Sequence, residues 1–306
     1  MKNPASLLWQ WFKVYRSFAR FPNAYSFCDA TSHLCYVLQP GRLTEWELCR
    51  WVRSHLKITS THVGDSEITH QGSGLRFLWS GPAHSGLAMA VRQEVDPSNP
   101  HNYTTLPIQL FPRSLVLDVG TCEGLFAIRM LTNNLVSRVV CFEPSPHSAE
   151  LLERSGQRYK ILDRMTIERC AVGKTSQDVF FTNSETAEGN HVVHKPTSTT
   201  TKVRQVSIDD FCLSQNLELD VKDLIKIDAE GSDLDVLLGA EQTIRKRGPQ
   251  IAVTTYHNPN HAMEIVEFLK SVQPNYRIRI KGTTVFRPNE TPRPVLLQAS
   301  LVSQTA

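Results

Sequence analysis

No run of about 18 consecutive apolar residues occurs in this chain, so no segment reads as a membrane-crossing helix. No C-x-x-C pair occurs among Cys28, Cys35, Cys49, Cys122, Cys141, Cys170 and Cys212, which argues against a zinc ribbon or a dithiol redox centre. The cysteine count is also odd, and Cys122, Cys141 and Cys170 fall beside or within expected core strands. The expectation is a reduced, intracellular, cytoplasmic protein without a disulfide framework. An excess of one charge is lacking too: 33 Lys and Arg face 30 Asp and Glu, a formal net charge of +3. The densest basic tract, Arg245-Lys246-Arg247, reads as the cationic last turn of a helix, so a nucleic-acid partner is not expected. Internal repeats are absent. A signal peptide is not expected, because Lys13, Arg16 and Arg20 interrupt the apolar N-terminal stretch.

What is present suits a globular chain. Its 306 residues, 41% of them hydrophobic and 21% charged, allow one large domain or two modest ones. Residues 1–100 read as a helical and mixed N-terminal region, and 101–306 as a second unit. Within 6–21, Leu8, Trp11, Phe12, Tyr15 and Phe18 recur at helical spacing with Lys13, Arg16 and Arg20 between them. Such a helix suits a membrane surface or a lipid-like substrate. Docking on the domain, or on a second subunit in a homodimer, is the reading adopted. Thr44-Glu45-Trp46-Glu47 is a capping box, and Leu48, Val52 and Leu56 give the following helix one buried face. Residues 60–75 read as loop and 75–79 as a strand. Asp96-Pro97-Ser98-Asn99-Pro100 is loop chemistry that marks a boundary.

From about 113 the pattern becomes regular. Strands are expected at 114–119, 138–142, 166–172, 221–228 and 250–255. Helices are expected at 124–131, 146–154, 232–247 and 262–271, the third stopped by Gly248-Pro249. Residues 178–202 read as an irregular polar stretch. A strand pair is expected around Gly282, over 276–280 and 283–286, and 296–302 as an edge strand or a tail. Strands alternating with helices imply an α/β fold with a mostly parallel sheet covered on both faces. The closing hairpin adds an antiparallel edge.

The chemistry-bearing residues sit where such strands end. Leu115-Val116-Leu117-Asp118-Val119 runs into Gly120-Thr121-Cys122-Glu123-Gly124. Gly120 lets the backbone turn and approach a ligand, and Gly124 lets the next helix pack closely. A dinucleotide loop carries three glycines, G-x-G-x-x-G, to receive a pyrophosphate. Here Asp118 replaces the first glycine and Glu123 sits inside the loop, and both charges repel a diphosphate. S-adenosylmethionine, which carries a sulfonium and an ammonium and no phosphate, suits them better. Glu143, at the end of the next strand before Pro144, is placed to accept hydrogen bonds from both ribose hydroxyls.

A third constellation is Lys226-Ile227-Asp228-Ala229-Glu230-Gly231. Lys226 and Asp228 share strand parity, and a lysine in a buried strand needs a partner, Asp228, Glu230 or Asp118. Tyr256-His257-Asn258-Pro259-Asn260-His261 follows the fifth strand and faces the same crevice. Asp228, Glu230 and His257 are candidates for taking a proton from a substrate hydroxyl. They could also hold a divalent metal, but none is expected. His261 reads as a first-turn helix residue. His191 and His194 lie in the long polar stretch, which reads as a substrate lid or a solvated loop.

Together these residues resemble the FkbM family of S-adenosylmethionine-dependent methyltransferases. The resemblance rests on Leu117-Asp118-Val119-Gly120 with Gly124, Phe142-Glu143-Pro144, Ala171-Val172-Gly173, Val206-Ser207-Ile208-Asp209-Asp210, Ile225 through Gly231, and Tyr256-His257 with Pro259. It covers roughly 113–281 and leaves 1–100 without an assigned motif. It implies a class I methyltransferase fold (Rossmann-like) and methyl transfer to a hydroxyl of a small-molecule, sugar or lipid-like acceptor. It implies Asp118, Gly120, Glu143 and Asp228 around the cofactor; Thr121, Glu123, Gly124, Pro144 and Ala171 are expected to join them, and Lys226, Asp228, Glu230 and His257 are the expected catalytic residues. The family's usual Gly-Ala-Asn-hydrophobic-Gly loop is replaced here by Gly120-Thr121-Cys122-Glu123-Gly124, which puts the side-chain contact to the methionine portion in question. Two rival readings stand beside this one. One is a nucleoside-binding module of the same fold without catalysis, and the other a nicotinamide-dependent oxidoreductase.

Overall fold

The computed structural model describes residues 4–18, 41–61, 64–182, 191–193, 195, 197–284 and 293–302. Arg20, Cys28, Cys35, His194 and Phe286 lie outside them. In chain order the elements are α1 (Pro4–Phe18), α2 (Gly41–His55), β1 (Leu56–Ser60), β2 (Ser66–His70), β3 (Arg76–Trp79) and α3 (Ser85–Val95). Then come β4 (Leu115–Val119), α4 (Leu125–Thr132), β5 (Arg138–Phe142), α5 (Pro146–Arg158), β6 (Met165–Glu168), β7 (Ala171–Val172) and β8 (Gln177–Thr182). The chain continues through β9 (Val192–Val193), β10 (Thr200–Val206), α6 (Ile208–Ser214), β11 (Leu224–Ile227), α7 (Asp233–Leu238) and α8 (Glu241–Arg247). It closes with β12 (Gln250–Thr254), α9 (His261–Val272), β13 (Arg277–Thr284) and β14 (Arg293–Ser300).

Seven strands form the central sheet in the order β13-β14-β12-β11-β4-β5-β6. All neighbours from β12 to β6 pair in parallel, while β14 runs antiparallel to both β12 and β13. This is the class I methyltransferase arrangement. The parallel strands are apolar throughout because helices cover both faces. Leu117, Ile225 and Ile251 are wholly buried, each contributing about 1.5–3 kcal/mol by leaving water. The strand order reverses between β4 and β11, so a crevice opens at their carboxyl ends.

Several elements differ from the sequence reading. Residues 60–75 are not simply loop, since β1, β2 and β3 form an antiparallel sheet. β1 buries only Leu56, so cross-strand pairing rather than hydrophobicity defines it. The polar stretch from 178 is also ordered into strands. β7, β10, β8 and β9 make a second sheet, with Val179 and Phe181 buried. The expected strand over 166–172 splits between the two sheets, and the expected helix over 232–247 breaks at Gly239. A Cβ there would stand 2.1 Å from the Gly173 carbonyl oxygen. No turn forms at Gly282. β13 runs through it, and its φ of +62° brings the backbone against Pro100. β14 is interior, neither an edge nor a tail. α2 begins at Gly41, ahead of Thr44, so Thr44 lies within the helix.

The N-terminal elements pack on the sheet unit. α3 lies on α4, and β3 on α5. Trp11 of α1 is buried in the core with Tyr15 against it, whereas Leu8, Trp9 and Phe12 are exposed. Glu67 of β2 accepts Arg158 Nε at 2.9 Å and Nη2 at 2.6 Å, as well as Arg76 and the Tyr159 hydroxyl. These bonds, led by Arg158, hold the carboxyl down at about 2 despite its burial. A depressed carboxyl adds stability above its unfolded value of 4.5 and loses it as pH falls toward 2. Glu67→Gln is expected to cost about 1 kcal/mol at neutral pH, a small figure because both arginines are half exposed. The gap should shrink as denaturant unfolding is repeated between pH 5 and 3. A gap independent of pH would show that the carboxylate charge is not what matters.

Candidate active site

A cavity of about 770 Å³ opens at the carboxyl ends of β4, β5, β11 and β12, within the usual range for a small-molecule site. One wall is the 120–124 loop. Gly120 has φ +72°, and a Cβ there would lie 1.8 Å from the Asp228 carbonyl oxygen. The loop is therefore pressed onto the end of β11. Gly124 (φ +80°) seats α4 against Leu152. Cys122 between them adopts φ +52°, a region that asparagine tolerates better than cysteine. The loop backbone thus keeps its turns despite the substituted residues. Glu143, buried at the end of β5, accepts from Cys122 N and Ser145 N, both at 2.8 Å. Burial raises its carboxyl to about 7 against those two bonds.

Of the residues singled out from sequence, Gly120, Thr121, Glu123, Gly124, Glu143, Pro144, Ala171, Lys226, Asp228, Glu230 and His257 all line this cavity, as does His191. Asp118 does not. It is fully buried beneath the loop, with Lys226 Nζ 2.9 Å from its Oδ1 as an ion pair. That ammonium donates its hydrogen bond to Gly120 O at 2.7 Å. Burial alone would lower the lysine's pKa, but Asp118, Asp228 and Glu94 overturn this and raise it. Lys226 is therefore a fixed cation under the loop and does not exchange protons at neutral pH.

His257 lies opposite the loop. Its Nδ1 is 2.8 Å from Asp233 Oδ2. Its Nε2 points toward Asp228 Oδ1 and Glu230 Oε2, at 3.7 and 3.4 Å. Burial would lower the imidazole, but the Asp233 bond and charge, with Asp228 and Glu230, raise it to about 9. On its own the ring is cationic at neutral pH, which removes it as a ready base. Asp233 is itself held below the usual carboxylate range. Burial opposes this, and donation from His257, with His261 and Ala229 N adding to it, prevails. His261, the first residue of α9, reaches Asp233 at 3.6 Å rather than the cavity.

Three cavity residues carry no signal in the sequence reading. The Tyr103 hydroxyl donates to Asp228 Oδ2 at 2.7 Å. His101 keeps its Nε2 buried and without a hydrogen bond, and desolvation lowers the ring to about 4. Glu94, from α3, meets Arg129 at 3.3 Å, and burial raises it to about 7. All three precede the sheet and belong to no strand-end motif.

The family model for the Methyltransferase FkbM domain matches residues 118–278. The chain belongs to the FkbM methyltransferase family. This FkbM chain is 27% identical over 153 residues to the 2-O-methyltransferase NoeI of Sinorhizobium fredii. That match covers 44% of the chain and spans 60% of the relative's length. Among solved structures it is similar to the FkbM methyltransferase of Methylobacillus flagellatus, at 20% identity and a TM-score of 0.47, covering 69% of this chain and 57% of that one. It is also similar to M. capricolum TrmK in complex with S-adenosyl-homocysteine, at 11% identity and a TM-score of 0.37, covering 66% of each chain. In this member of the FkbM family the matched segment runs from Asp118 to β13 and takes in the 120–124 loop, Glu143, Asp228, Glu230 and His257 of the cavity lining.

Proposed function

We propose that this chain transfers the methyl group of S-adenosylmethionine to a hydroxyl oxygen of a small-molecule, sugar or lipid-like acceptor in the cytoplasm. The observation that carries the reading is one cavity with two kinds of wall. The glycine loop and Glu143 form one. Asp228, Glu230, His257 and Tyr103 form the other. The 2-O-methyltransferase relative supports oxygen as the acceptor atom. Free thiols at Cys49, Cys122, Cys141, Cys170 and Cys212 support the reducing compartment.

The residues present fit the cofactor. Among the described residues, carboxyl groups from Glu94, Asp96, Glu123, Glu143, Asp228 and Glu230 line the cavity, against Arg92, Lys226 and the His257 imidazolium. That excess favours a sulfonium and an ammonium and disfavours phosphate groups. Glu143 would take the ribose hydroxyls, with Pro144 and Ala171 beside it, and the Gly120–Gly124 backbone the methionine portion. When bound, the cofactor supplies an electrophilic methyl group. The chain's part is to align the acceptor oxygen behind that carbon and to receive the hydroxyl proton at the Asp228–Glu230 carboxylate pair. Tyr103 and Thr254 donate to Asp228 Oδ2 and Oδ1 and fix its plane.

Calorimetric titration with S-adenosylmethionine, S-adenosylhomocysteine and NAD tests the reading. Micromolar binding of the first two without the third is expected, and no binding of either adenosyl compound would sink it. A pH series adds a second check. A carboxyl raised to about 7 must ionise before it can accept two ribose hydroxyls. S-adenosylmethionine affinity is therefore expected to fall from pH 8 to pH 6, by up to about tenfold per unit below the midpoint. Glu143→Gln should bind more weakly and lose that dependence. A pH dependence kept in Glu143→Gln would place its source elsewhere.

A further inference from the structure

Asp228, Asp233 and His257 present atoms suited to metal binding that all lie within 4.8 Å of one another. Acids in a cluster are not by themselves a site, but here a histidine is aimed into them. The His257 side chain is nine-tenths buried, and its Nε2 makes no hydrogen bond. The oxygens facing it, Asp228 Oδ1 and Glu230 Oε2, stand at 3.7 and 3.4 Å. These contacts miss hydrogen-bond geometry. They match the edges of a coordination shell, since bonds of about 2.1 Å at tetrahedral angles hold ligand atoms about 3.4 Å apart.

The surroundings are those of a ligating imidazole. Asp233 is wholly buried and takes Nδ1 at 2.8 Å. Its own two oxygens are held by Ala229 N at Oδ1 and Gly231 N at Oδ2. A carboxylate on Nδ1 keeps the proton on that nitrogen and fixes the ring plane, so that an ion displacing the Nε2 proton meets an oriented lone pair. Glu230 and Gly231 adopt φ +47° and +102°, a reversal that returns the Glu230 carboxylate toward His257. The nearby cation, Lys226, is already compensated by Asp118.

We propose that His257 Nε2, Asp228 Oδ1 and Glu230 Oε2 bind one divalent first-row transition ion, with Asp233 as the orienting carboxylate. Mixed imidazole and carboxylate donors favour manganese, iron, cobalt or zinc over magnesium and calcium. Three protein ligands leave positions open to the cavity, as in catalytic rather than structural sites. The ion's role in catalysis rests on the hydroxyl-methylation reading above. There the acceptor oxygen enters an open position and its proton becomes more acidic. The proton leaves to a cavity carboxylate or water. The oxygen–carbon bond forms as the carbon–sulfur bond breaks, and sulfur departs as a neutral thioether.

The test uses the full chain stripped with a chelator, without donor or acceptor. It is titrated with Mn²⁺ followed by electron paramagnetic resonance, and separately with Zn²⁺ by calorimetry. One ion per chain at micromolar concentration is expected, weakened roughly 10–100-fold in Asp233→Asn and lost in His257→Ala and Glu230→Gln. Glu230 is 38% exposed, so its variant keeps the test valid even where circular dichroism shows His257→Ala unfolded. No saturable binding of either ion up to millimolar concentration, or binding that survives in a folded ligand variant, would overturn the site. S-adenosylmethionine titration of the same stripped protein separates the two readings. Cofactor binding without ion binding removes only the metal site, and ion binding without cofactor binding removes only the methyl-donor reading.

Discussion

Lys226→Met is expected to cost about 3–5 kcal/mol of folding stability, and Asp118→Asn a comparable amount. Both partners are buried, 2.9 Å apart. Removing either charge leaves the other buried without its main partner. The cost comes mainly from that stranded charge and only in small part from the lost contact. A paired replacement, Asp118→Leu with Lys226→Met, should therefore recover most of the loss. Urea unfolding of the two single variants and the double variant measures the coupling directly. Single variants that each cost under about 1 kcal/mol would show that the two charges are not stranded by each other's removal. The double variant has a second use. Lys226 also holds the Gly120 carbonyl at 2.7 Å, so a stable double variant should still bind S-adenosylmethionine poorly. That split between restored stability and unrestored binding would tie the pair to the loop.

Asp228→Ala is expected to lower kcat by about 10²–10⁴, the range for loss of a positioned proton-transfer group, with little change in unfolding free energy. Its side chain is 21% exposed, and the Lys226–Asp118 pair beside it stays intact. Tyr103→Phe removes one of the hydroxyl donors to Asp228, so its loss should be smaller and of the same kind. Single-turnover measurements with an acceptor found by screening would separate chemistry from binding. A kcat unchanged in Asp228→Ala, with only KM raised, would reduce Asp228 to a binding residue.

The parallel core is legible in the sequence for a physical reason. Strands buried on both faces are continuous apolar runs, and 138–142 is read to the residue because Phe142 is followed by the turn chemistry of Glu143-Pro144. Half-exposed strands lack that contrast. β1 offers Leu56 and four exposed residues, and its partner is identified only by pairing. β14 is fully buried along most of its length, but its place between β12 and β13 is a matter of topology that periodicity cannot express. The site divides in the same way. Asp228, Glu230 and His257 sit at strand ends, where open α/β sheets place ligands. Tyr103 reaches Asp228 across 125 positions of sequence, and no local spacing announces it. Asp233 is nearer, but it joins the site only because positive φ at Glu230 and Gly231 turns the chain back.

The inward position of β14 also bears on the order of assembly during synthesis. β12 and β13 are not neighbours until residues 293–300 arrive between them. A nascent chain that has emerged only as far as β13 holds two unfilled strand edges, the kind of surface that recruits other chains. The sheet can thus close only after β14 has left the ribosome.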